Sequence, residues 1–493
     1  MAKAIMIQGT ASDVGKSVIC TALCRILAND GYKVAPFKSQ NMALNSYITQ
    51  DGGEIGRAQG VQAEAARTIA TAHMNPILLK PKHDMVAEVI VHGKHYLNME
   101  AKTYRDDFVE KVMPLVAESV QRLQQEFDVV VLEGAGSPAE INLKDRDIAN
   151  MRMAHLADAA VILVADIDRG GAFASIIGTL ALLDEEERAR VKGIIINKFR
   201  GMRELLEDGI EWLEKETSIP VLGVIPYVDV QIEAEDSLAL SSLRLKRPKQ
   251  AEFPIDVAVI RFPRISNFTD IDPLFEEPDL GVRFVSSAAD FGCPDVIILP
   301  GTKNTIEDLH WLKKHGLATA IEHSFNQGAH VFGICGGYQM LGKTLLDREA
   351  IESSGSVECG LSLLDIETTF VASKKTVQVT GRLASGDEVS GYEIHLGRSI
   401  RLHNTPPFIQ LHDGREDGAS SYDGRVIGTY LHGIFHNRLY TRKYFNAIRA
   451  QKGLNGLPLD VKSDAELRDE AYEMLDRHVR QHLKMDIIYE WLS

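Results

Sequence analysis

The sequence predicts an α/β protein with two domains in tandem, each built on a parallel sheet. Apolar strands alternate with helical stretches from residue 4 to about residue 228, which is the pattern of a doubly wound parallel sheet with helices on both faces. The alternation resumes at Ile255 and continues to the strand before Cys335. Between about Leu364 and Arg401 a period of two residues takes over and indicates antiparallel strands on the second sheet.

These patterns divide the chain into four segments. Residues 1–230 would form the first domain and residues 252–445 the second. The stretch 231–251 is polar, charged and without a core period, which is typical of a linker. Residues 446–493 would form a helical segment packed on the second domain.

The expectation for the last segment comes from its periodicity. Apolar residues recur at helical spacing from Leu467 to Trp491, and Ser463 with Glu466 forms a capping box at the helix start. A membrane or partner helix would fit the same pattern. Because acidic residues mix with basic ones on the polar face, a helix packed on its own domain is favoured.

Composition limits the function classes. The chain has 493 residues, of which 45% are hydrophobic, as in an ordinary globular protein. The net charge of −15 argues against a nucleic-acid partner, because phosphate backbones require a basic face. No apolar run reaches the length of a membrane span, and the chain begins with a strand rather than a signal peptide. We therefore expect a cytoplasmic protein with no membrane partner; its oligomeric state stays open.

A glycine loop joins the first strand to the first predicted helix. It runs from Gly9 to Ser17, and strand, glycine loop, Lys-Ser and helix together form a phosphate cradle of the P-loop type. Five residues separate Gly9 from Gly15, one more than in the commonest P-loop. Backbone N–H groups from Gly9, Thr10 and Gly15 would hold phosphates. Lys16 would reach the terminal phosphates of ATP, and Ser17 would ligate Mg²⁺.

Three further strands end in polar residues. Glu133 ends a continuous apolar run, at the position where open α/β sheets place metal-binding acids, and we expect it to be a second Mg²⁺ contact. Asp166 ends the next run and is explained equally well as a helix cap. Asn197 would contact the adenine of ATP, although a turn role fits nearly as well.

The most informative stretch places Cys335 between a buried strand and a helix start, with glycines on both sides. A thiol there can act as a nucleophile, since the helix N-terminus favours the thiolate. His432 follows a second apolar strand and is the candidate base. The N–H groups of Gly336 and of Gly301, which ends another strand, would form the oxyanion hole. An inert buried thiol is the alternative.

The two sites together indicate one coupled reaction. A thiol dyad can hydrolyse an amide through a thioester, and an ATP site can phosphorylate a carboxylate. Joined in one chain, they predict ATP-driven amidation with ammonia supplied by L-glutamine.

At this point the sequence resembles a known family. Residues 1 to about 230 are similar to the dethiobiotin-synthetase-like ATP domain, and residues 252 to about 440 to class I glutamine amidotransferase domains. This pairing is typical of the cobyrinate amidases of vitamin B12 synthesis. The most specific similarity lies in four segments: Phe37–Met42, Glu54–Gln59, Met74–Pro81 and Gly391–Gly397.

The resemblance implies an activity and a set of site residues. The activity is amidation, with ATP and glutamine, of the b, d, e and g carboxylates of adenosylcobyrinic acid a,c-diamide to adenosylcobyric acid. Cys335 would be the glutaminase nucleophile and His432 its base. Lys38 matches a lysine near the transferred phosphate, and Asp51 and Glu133 match Mg²⁺ ligands. At Asp51, a plain turn with Gly52 and Gly53 is nearly as good an interpretation.

One feature departs from many class I amidotransferases. They place Pro-Glu directly after the histidine to orient it, whereas here His432 is followed by Gly433. We therefore predict a catalytic dyad with a less polarised imidazole and slow glutaminase turnover. Sequence spacing leaves open whether a more distant acid completes a triad with His432.

Three alternatives remain open. The nearest is the sister enzyme that amidates the a and c carboxylates, which the segments Lys38–Met42 and Met74–Pro81 disfavour. A partitioning-type ATPase switch would usually carry an extra lysine early in the loop, and positions 10–14 contain none. The third alternative is a C-terminal binding module with an inactive dyad.

Overall fold

The structure, a computed structural model, describes residues 2–83, 86–104, 108–228, 253–353, 355 and 357–493. The chain forms two compact units. The first comprises Met1–Ala43, Gly53–Glu233 and Leu467–Ser493, and the second comprises Leu44–Gly52 and Ala234–Glu466. The linker expected at 231–251 lies outside the described residues. Within the described ranges, the helices are all too short or too polar to cross a bilayer.

The first unit is built on a six-stranded parallel sheet, which confirms the predicted fold class. Its central strand, Lys3–Gly9, is buried from Ala4 onward because apolar neighbours cover both faces. In spatial order the strands are Val221–Pro226, Val191–Phe199, Ala160–Asp166, Lys3–Gly9, Val129–Glu133 and Val34–Phe37.

Helices cover this sheet, and a smaller sheet accompanies it. The main helices before the C-terminal segment are Lys16–Asn29, Arg57–Ala65, Val109–Glu126, Met151–Leu156, Ala172–Leu182, Glu185–Arg190 and Glu207–Thr217. The smaller sheet contains Gln40–Met42, Ile77–His83, Val86–Val91 and Lys94–Glu100. The short strand Glu54–Gly56 precedes helix Arg57–Ala65.

The C-terminal helices pack in the first unit, so the expectation that they cover the second domain is wrong. Helix Asp464–Arg480 begins with the predicted capping box, in which the Glu466 N–H donates to Ser463 Oγ at 3.3 Å. Its apolar face belongs to the core around helix Lys16–Asn29. Helical periodicity shows which face is apolar, but not which surface that face covers.

Polar contacts fix the same segment. The Arg25 guanidinium is 1% exposed and pairs with Asp469 at 2.7 Å and Glu473 at 3.3 Å. The Lys484 N–H donates to the Leu222 carbonyl at 2.8 Å. This bond covers part of strand Val221–Pro226, which would otherwise be an open sheet edge. A final helix, Met485–Leu492, follows.

The second unit also contains a six-stranded sheet, with five parallel strands and one short antiparallel strand. In spatial order these are Leu280–Val285, Ile255–Ile260, Val296–Leu299, His330–Ile334, Val426–Thr429 and Ala419–Ser420. Its longer helices are Thr305–Lys314, Leu317–Asn326 and Arg438–Gln451. A short helix, Gly336–Met340, and a 3-10 helix, Phe268–Glu276, lie near the functional residues.

The predicted period of two corresponds to a long antiparallel pair in this unit. Strands Ile366–Leu383 and Glu388–Arg401 pair with a register shift between Phe370 and Lys375. Shorter strands extend this sheet: Thr344–Leu346, Val357–Cys359, Ile409–Leu411 and Glu416–Asp417. The remaining strand of the unit is Ser46–Ile48, within Leu44–Gly52.

If the C-terminal helices complete the first core, Leu475→Ala should destabilise the protein. Leu475 is fully buried, and removing a buried leucine side chain typically costs about 2–5 kcal/mol. We expect an earlier transition in urea unfolding followed by circular dichroism. The exposed Arg477, on the same helix, is the control, and Arg477→Ala should change stability by less than about 0.5 kcal/mol. Equal effects of the two substitutions would contradict the packing described.

Candidate functional site

Cys335 lies on a sharp turn between a buried strand and a short helix. Strand His330–Ile334 is wholly buried, and helix Gly336–Met340 starts at the next residue. Cys335 has φ 52° and ψ −109°, a conformation that is strained for a residue with a side chain. The turn is held by the Cys335 N–H, which donates to the Thr429 carbonyl at 2.9 Å. Such strain is typical of a residue whose side chain must be presented at one point.

The glycines around Cys335 allow close packing. A Cβ at Gly337 would lie 1.9 Å from the Leu299 carbonyl oxygen, and one at Gly336 would lie 2.6 Å from Thr302 Cγ2. Gly301 lies against the histidine, since a Cβ there would be 3.0 Å from His432 Cε1. The two proposed oxyanion donors therefore lie on different elements: Gly301 follows strand Val296–Leu299, and Gly336 begins the helix after Cys335.

His432 is fully buried and is oriented by an acid that the sequence did not reveal. His432 Nδ1 lies 2.7 Å from Asp270 Oδ2, and Asp270 Oδ1 accepts from the Gly433 N–H at 2.8 Å. The predicted dyad is therefore wrong, because Asp270 completes a Cys–His–Asp arrangement. Asp270 lies 162 residues before His432, in a 3-10 helix.

The electrostatics of His432 favour its protonated form. Burial lowers the pKa of His432, but the charge of Asp270, the hydrogen bond to it and the Cys335 thiol together raise the pKa to about 10. An imidazolium beside Cys335 stabilises the thiolate, the nucleophilic form of cysteine. The thiol itself donates to the Ile394 carbonyl at 3.5 Å. His432 Nε2 makes no hydrogen bond within the described part of the chain, a common state before substrate binds.

The strand from Gly391 to Gly397 lies beside the histidine. Tyr392 stacks on His432, with ring centroids 5.1 Å apart, and their backbones exchange hydrogen bonds of 3.2 and 2.9 Å. A Cβ at Gly391 would lie 2.0 Å from the His432 carbonyl oxygen. The segment singled out in the sequence therefore supports the imidazole.

A cavity of about 450 Å³ lies next to this strand. Its wall includes Glu393, which is 2% exposed and pairs with Lys375 at 2.5 Å and Arg415 at 3.0 Å. His395 stacks on Tyr430 with ring centroids 3.8 Å apart. Both signs of charge line one recess, which suits a small zwitterion.

The first unit gathers the residues of the predicted phosphate site. Gly15 has φ 100°, and a Cβ there would lie 2.2 Å from Asn197 Nδ2. Asn197 Nδ2 donates to the Val14 carbonyl at 2.8 Å. Lys16 Nζ donates to the carbonyls of Ala11 at 3.1 Å and Gly136 at 3.0 Å. Asn197 therefore lies against the loop.

Glu133 is the centre of a polar cluster beside the loop. Its Oε1 accepts from Ser17 Oγ and from Lys38 Nζ, each at 2.9 Å. Its Oε2 accepts from Gln62 Nε2 at 2.6 Å. Gln62 is a contact that the sequence analysis missed, because a glutamine inside helix Arg57–Ala65 carries no local signal of function. Ser17, Lys38 and Glu133, to which the sequence analysis gave roles at the phosphates and Mg²⁺, lie together in this cluster.

These oxygen donors fit Mg²⁺, which usually takes one or two carboxylates together with phosphate oxygens and waters. Ser17 Oγ and a Glu133 oxygen would hold the ion. The described residues contain no group of three or more His, Cys, Asp or Glu side chains arranged for a metal, so the phosphates would supply further ligands.

Two further sequence candidates are Asp51 and Asp166. Asp51 is exposed, accepts from Thr49 Oγ1 at 2.5 Å and belongs to Leu44–Gly52 of the second unit, and its role as an Mg²⁺ ligand stays a prediction. Asp166 does not cap the next helix, which begins after Gly171; instead it pairs with Lys198 at 2.9 Å.

If Asp270 sustains the imidazolium, Asp270→Asn should lower the pKa of His432 and slow alkylation of Cys335. We expect iodoacetamide labelling at pH 7 to fall roughly tenfold, the factor that corresponds to about 1.4 kcal/mol. Mass spectrometry of the Cys335 peptide measures the rate. The control is Asp290→Asn, on an exposed carboxylate of the same unit. Wild-type labelling of Asp270→Asn at every pH would contradict this role.

Comparisons with known proteins agree with this geometry. Residues 5–239 match the CobQ/CobB/MinD/ParA nucleotide binding domain, and residues 256–440 match the CobB/CobQ-like glutamine amidotransferase domain. A cobyric acid synthase of Geobacillus kaustophilus is 52% identical, over 100% of this chain and 98% of the relative. Cobyric acid synthases of Desulforamulus reducens and Listeria innocua are 51% and 50% identical, over 100% and 99% of this chain and 98% and 96% of the relatives. The chain thus belongs to the cobyric acid synthase family.

Proposed function

We propose that this protein is a cobyric acid synthase that uses glutamine and ATP. Its reaction would be amidation of the b, d, e and g carboxylates of adenosylcobyrinic acid a,c-diamide. The observation that carries the proposal is the pairing, in one chain, of a Cys335–His432–Asp270 site with a phosphate loop beside Glu133.

In the second unit, glutamine would be hydrolysed through a thioester. The Cys335 thiolate attacks the side-chain amide carbon, and the N–H groups of Gly301 and Gly336 hold the oxyanion. His432 gives its proton to the departing ammonia and then takes one from water, which attacks the thioester and releases glutamate. Asp270 keeps the ring in the orientation that both transfers require.

We place glutamine in the cavity beside strand Glu388–Arg401. Its α-carboxylate and ammonium carry opposite charges, and the wall contains Glu393 together with Arg415 and Lys375, which both pair with it. Cys335 does not line this cavity, but its thiol donates to the carbonyl of Ile394, which lies in sequence between the lining residues Glu393 and His395.

In the first unit, a corrinoid carboxylate would be activated as an acyl phosphate. The loop Gly9–Ser17 would bind the ATP phosphates through Gly9, Thr10 and Gly15, Asn197 would lie near the adenine, and Lys16 would neutralise the terminal phosphates. Lys38, held 2.9 Å from Glu133, would neutralise charge on the transferred phosphoryl group. When bound at Ser17 and Glu133, Mg²⁺ would supply further charge neutralisation. Asp51 as an additional ligand stays a prediction.

Ammonia then attacks the acyl phosphate, which yields the amide and releases phosphate. Phosphate is a better leaving group than a carboxylate oxygen, and ammonia reacts in its unprotonated form. Exclusion of water would protect the acyl phosphate from hydrolysis and keep ammonia unprotonated, and so would favour both the activation of the carboxylate and the attack by ammonia.

Among the alternatives, the sister amidase that acts on the a and c carboxylates is disfavoured because the relatives compared are cobyric acid synthases. A partitioning-type ATPase switch leaves the second unit and its oriented His432 unexplained. An inactive binding module would not require the strained backbone of Cys335 or the aligned Asp270.

Cys335→Ser should abolish amidation driven by glutamine and retain amidation driven by added ammonium chloride. The serine hydroxyl ionises far less readily than the thiol at neutral pH, whereas carboxylate activation does not involve Cys335. The measurement is amide formation, followed by chromatography, with each nitrogen source.

The matched counterpart of that variant is Lys16→Ala. It should abolish amidation with both nitrogen sources, because activation precedes nitrogen transfer. If Lys16→Ala amidates at the wild-type rate, the phosphate-loop role is wrong. If Cys335→Ser loses or keeps both activities, the glutaminase role is wrong.

The substrate assignment predicts the number of nitrogens added. With the a,c-diamide, ATP and glutamine labelled with ¹⁵N at the amide, mass spectrometry should find one labelled nitrogen at each of the b, d, e and g carboxylates. Cobyrinic acid without amides is the comparison substrate. Labelling confined to its a and c positions would favour the sister amidase.

A further inference from the structure

The 3-10 helix that carries Asp270 begins without a cap from its own flank. Helix Phe268–Glu276 has Asn267 as its N-cap residue, with a left-handed backbone at φ 51° and no capping hydrogen bond from its side chain. The first N–H groups of a helix have no partner inside it and need an acceptor elsewhere.

The acceptor comes from a part of the sequence 223 residues earlier. The Phe268 N–H donates to Asn45 Oδ1 at 3.2 Å, and the Ser46 N–H donates to Asn267 Oδ1 at 3.0 Å. Asn45 and Ser46 belong to Leu44–Gly52, which is part of the second unit, and they are 1% and 0% exposed. A buried polar group left without a partner destabilises the folded protein, so these two reciprocal hydrogen bonds favour this one conformation of the turn.

The same turn sets the place of Asp270. The Asp270 N–H donates to the Asn267 carbonyl at 3.1 Å. The Asn267 side chain thus accepts a hydrogen bond from the Ser46 N–H, and the Asn267 carbonyl accepts one from the Asp270 N–H. The next residue, Phe268, donates its N–H to Asn45. The Asp270 carboxylate then meets His432 Nδ1 at 2.7 Å.

We propose that Asn45 is a positioning residue of the Cys–His–Asp site. Its side chain caps the 3-10 helix from a distant part of the same chain and so fixes the turn that orients Asp270 toward His432. The segment that carries it is joined to the first unit at Ala43 and Gly53. Only six residues separate Asn45 from Lys38, which belongs to the Glu133 cluster. The stretch 38–45 therefore carries one residue of the Glu133 cluster and, six residues later, the proposed cap of the hydrolytic site.

The experiment compares full-length Asn45→Ala with the wild type; its turnover readout rests on the proposed glutamine hydrolysis. Without the Asn45 cap, the helix that carries Asp270 should shift and weaken the contact between Asp270 and His432. We expect glutaminase kcat to fall roughly five- to tenfold. The KM for glutamine should stay within about twofold, because Asn45 does not line the cavity. Amidation driven by ammonium chloride should be unchanged.

A second readout needs neither glutamine turnover nor a corrinoid. Iodoacetamide labelling of Cys335 against pH should move about one unit to higher pH in Asn45→Ala, because a weaker Asp270 contact lowers the pKa of His432 and stabilises the thiolate less. A purely structural loss would reduce the folded fraction without moving this profile.

Two further variants complete the test. Gln378→Ala removes a 2.7 Å hydrogen bond to the Ile48 carbonyl, three residues after Asn45 in the same segment, and should leave kcat within twofold and the labelling profile unmoved. Asn267→Gly keeps the left-handed backbone but removes the acceptor for Ser46, and should shift the profile as Asn45→Ala does. It carries the test if Asn45→Ala does not fold.

The proposal is overturned if the folded Asn45→Ala and Asn267→Gly proteins show wild-type Cys335 labelling and wild-type glutaminase kcat. It is also overturned if Gln378→Ala lowers kcat and shifts the labelling profile as much as Asn45→Ala does. Failure of the proposed function gives a different result, namely wild-type protein that labels normally at Cys335 but releases no glutamate from glutamine.

Discussion

The proposed hydrolytic site depends on one buried ion pair, between Asp270 and His432. A carboxylate with 1% exposure is costly unless its oxygens are satisfied, and here one meets the imidazole while the other accepts from the Gly433 N–H. The pair therefore fixes the ring and its protonation state together. With the ring fixed, strain at Cys335 can present the thiol at one place rather than over a range of positions.

Glu133 has a comparable part in the other half. Three donors of different kinds, a hydroxyl, an ammonium and an amide, converge on a single carboxylate that is 1% exposed. Phosphate would compete with the Glu133 carboxylate for these donors, and a divalent cation would compete with the donors for the carboxylate. Substrate binding would therefore exchange one set of interactions for another rather than desolvate a bare charge. In such a cluster a small displacement changes several contacts together.

The sequence predicted best where function coincides with the end of a parallel strand. Gly301 and His432 follow apolar strands of one parallel sheet, and the carboxyl ends of parallel strands meet at one edge of a sheet, so their proximity follows from topology. Glu133 ends a strand of the other sheet in the same way. Asp270 could not be found in this way, because it lies in a 3-10 helix and acts across 162 residues. For Asp51, family resemblance gave a role, but the structure assigns its segment to the second unit. Periodicity identified the C-terminal helix without indicating its neighbour.

Because Leu467–Ser493 belongs to the first unit, that unit cannot complete its core until these residues have been translated. The core around helix Lys16–Asn29 includes Leu475 and Val479, and the Leu222 carbonyl is bonded by Lys484. A ribosome makes all of the second unit before it makes these residues. Domains usually fold in the order of translation, but here the nascent N-terminal half must wait, with an incomplete apolar surface exposed, until the intervening half has emerged. Chaperone dependence should therefore concentrate on the part of the chain that is made first.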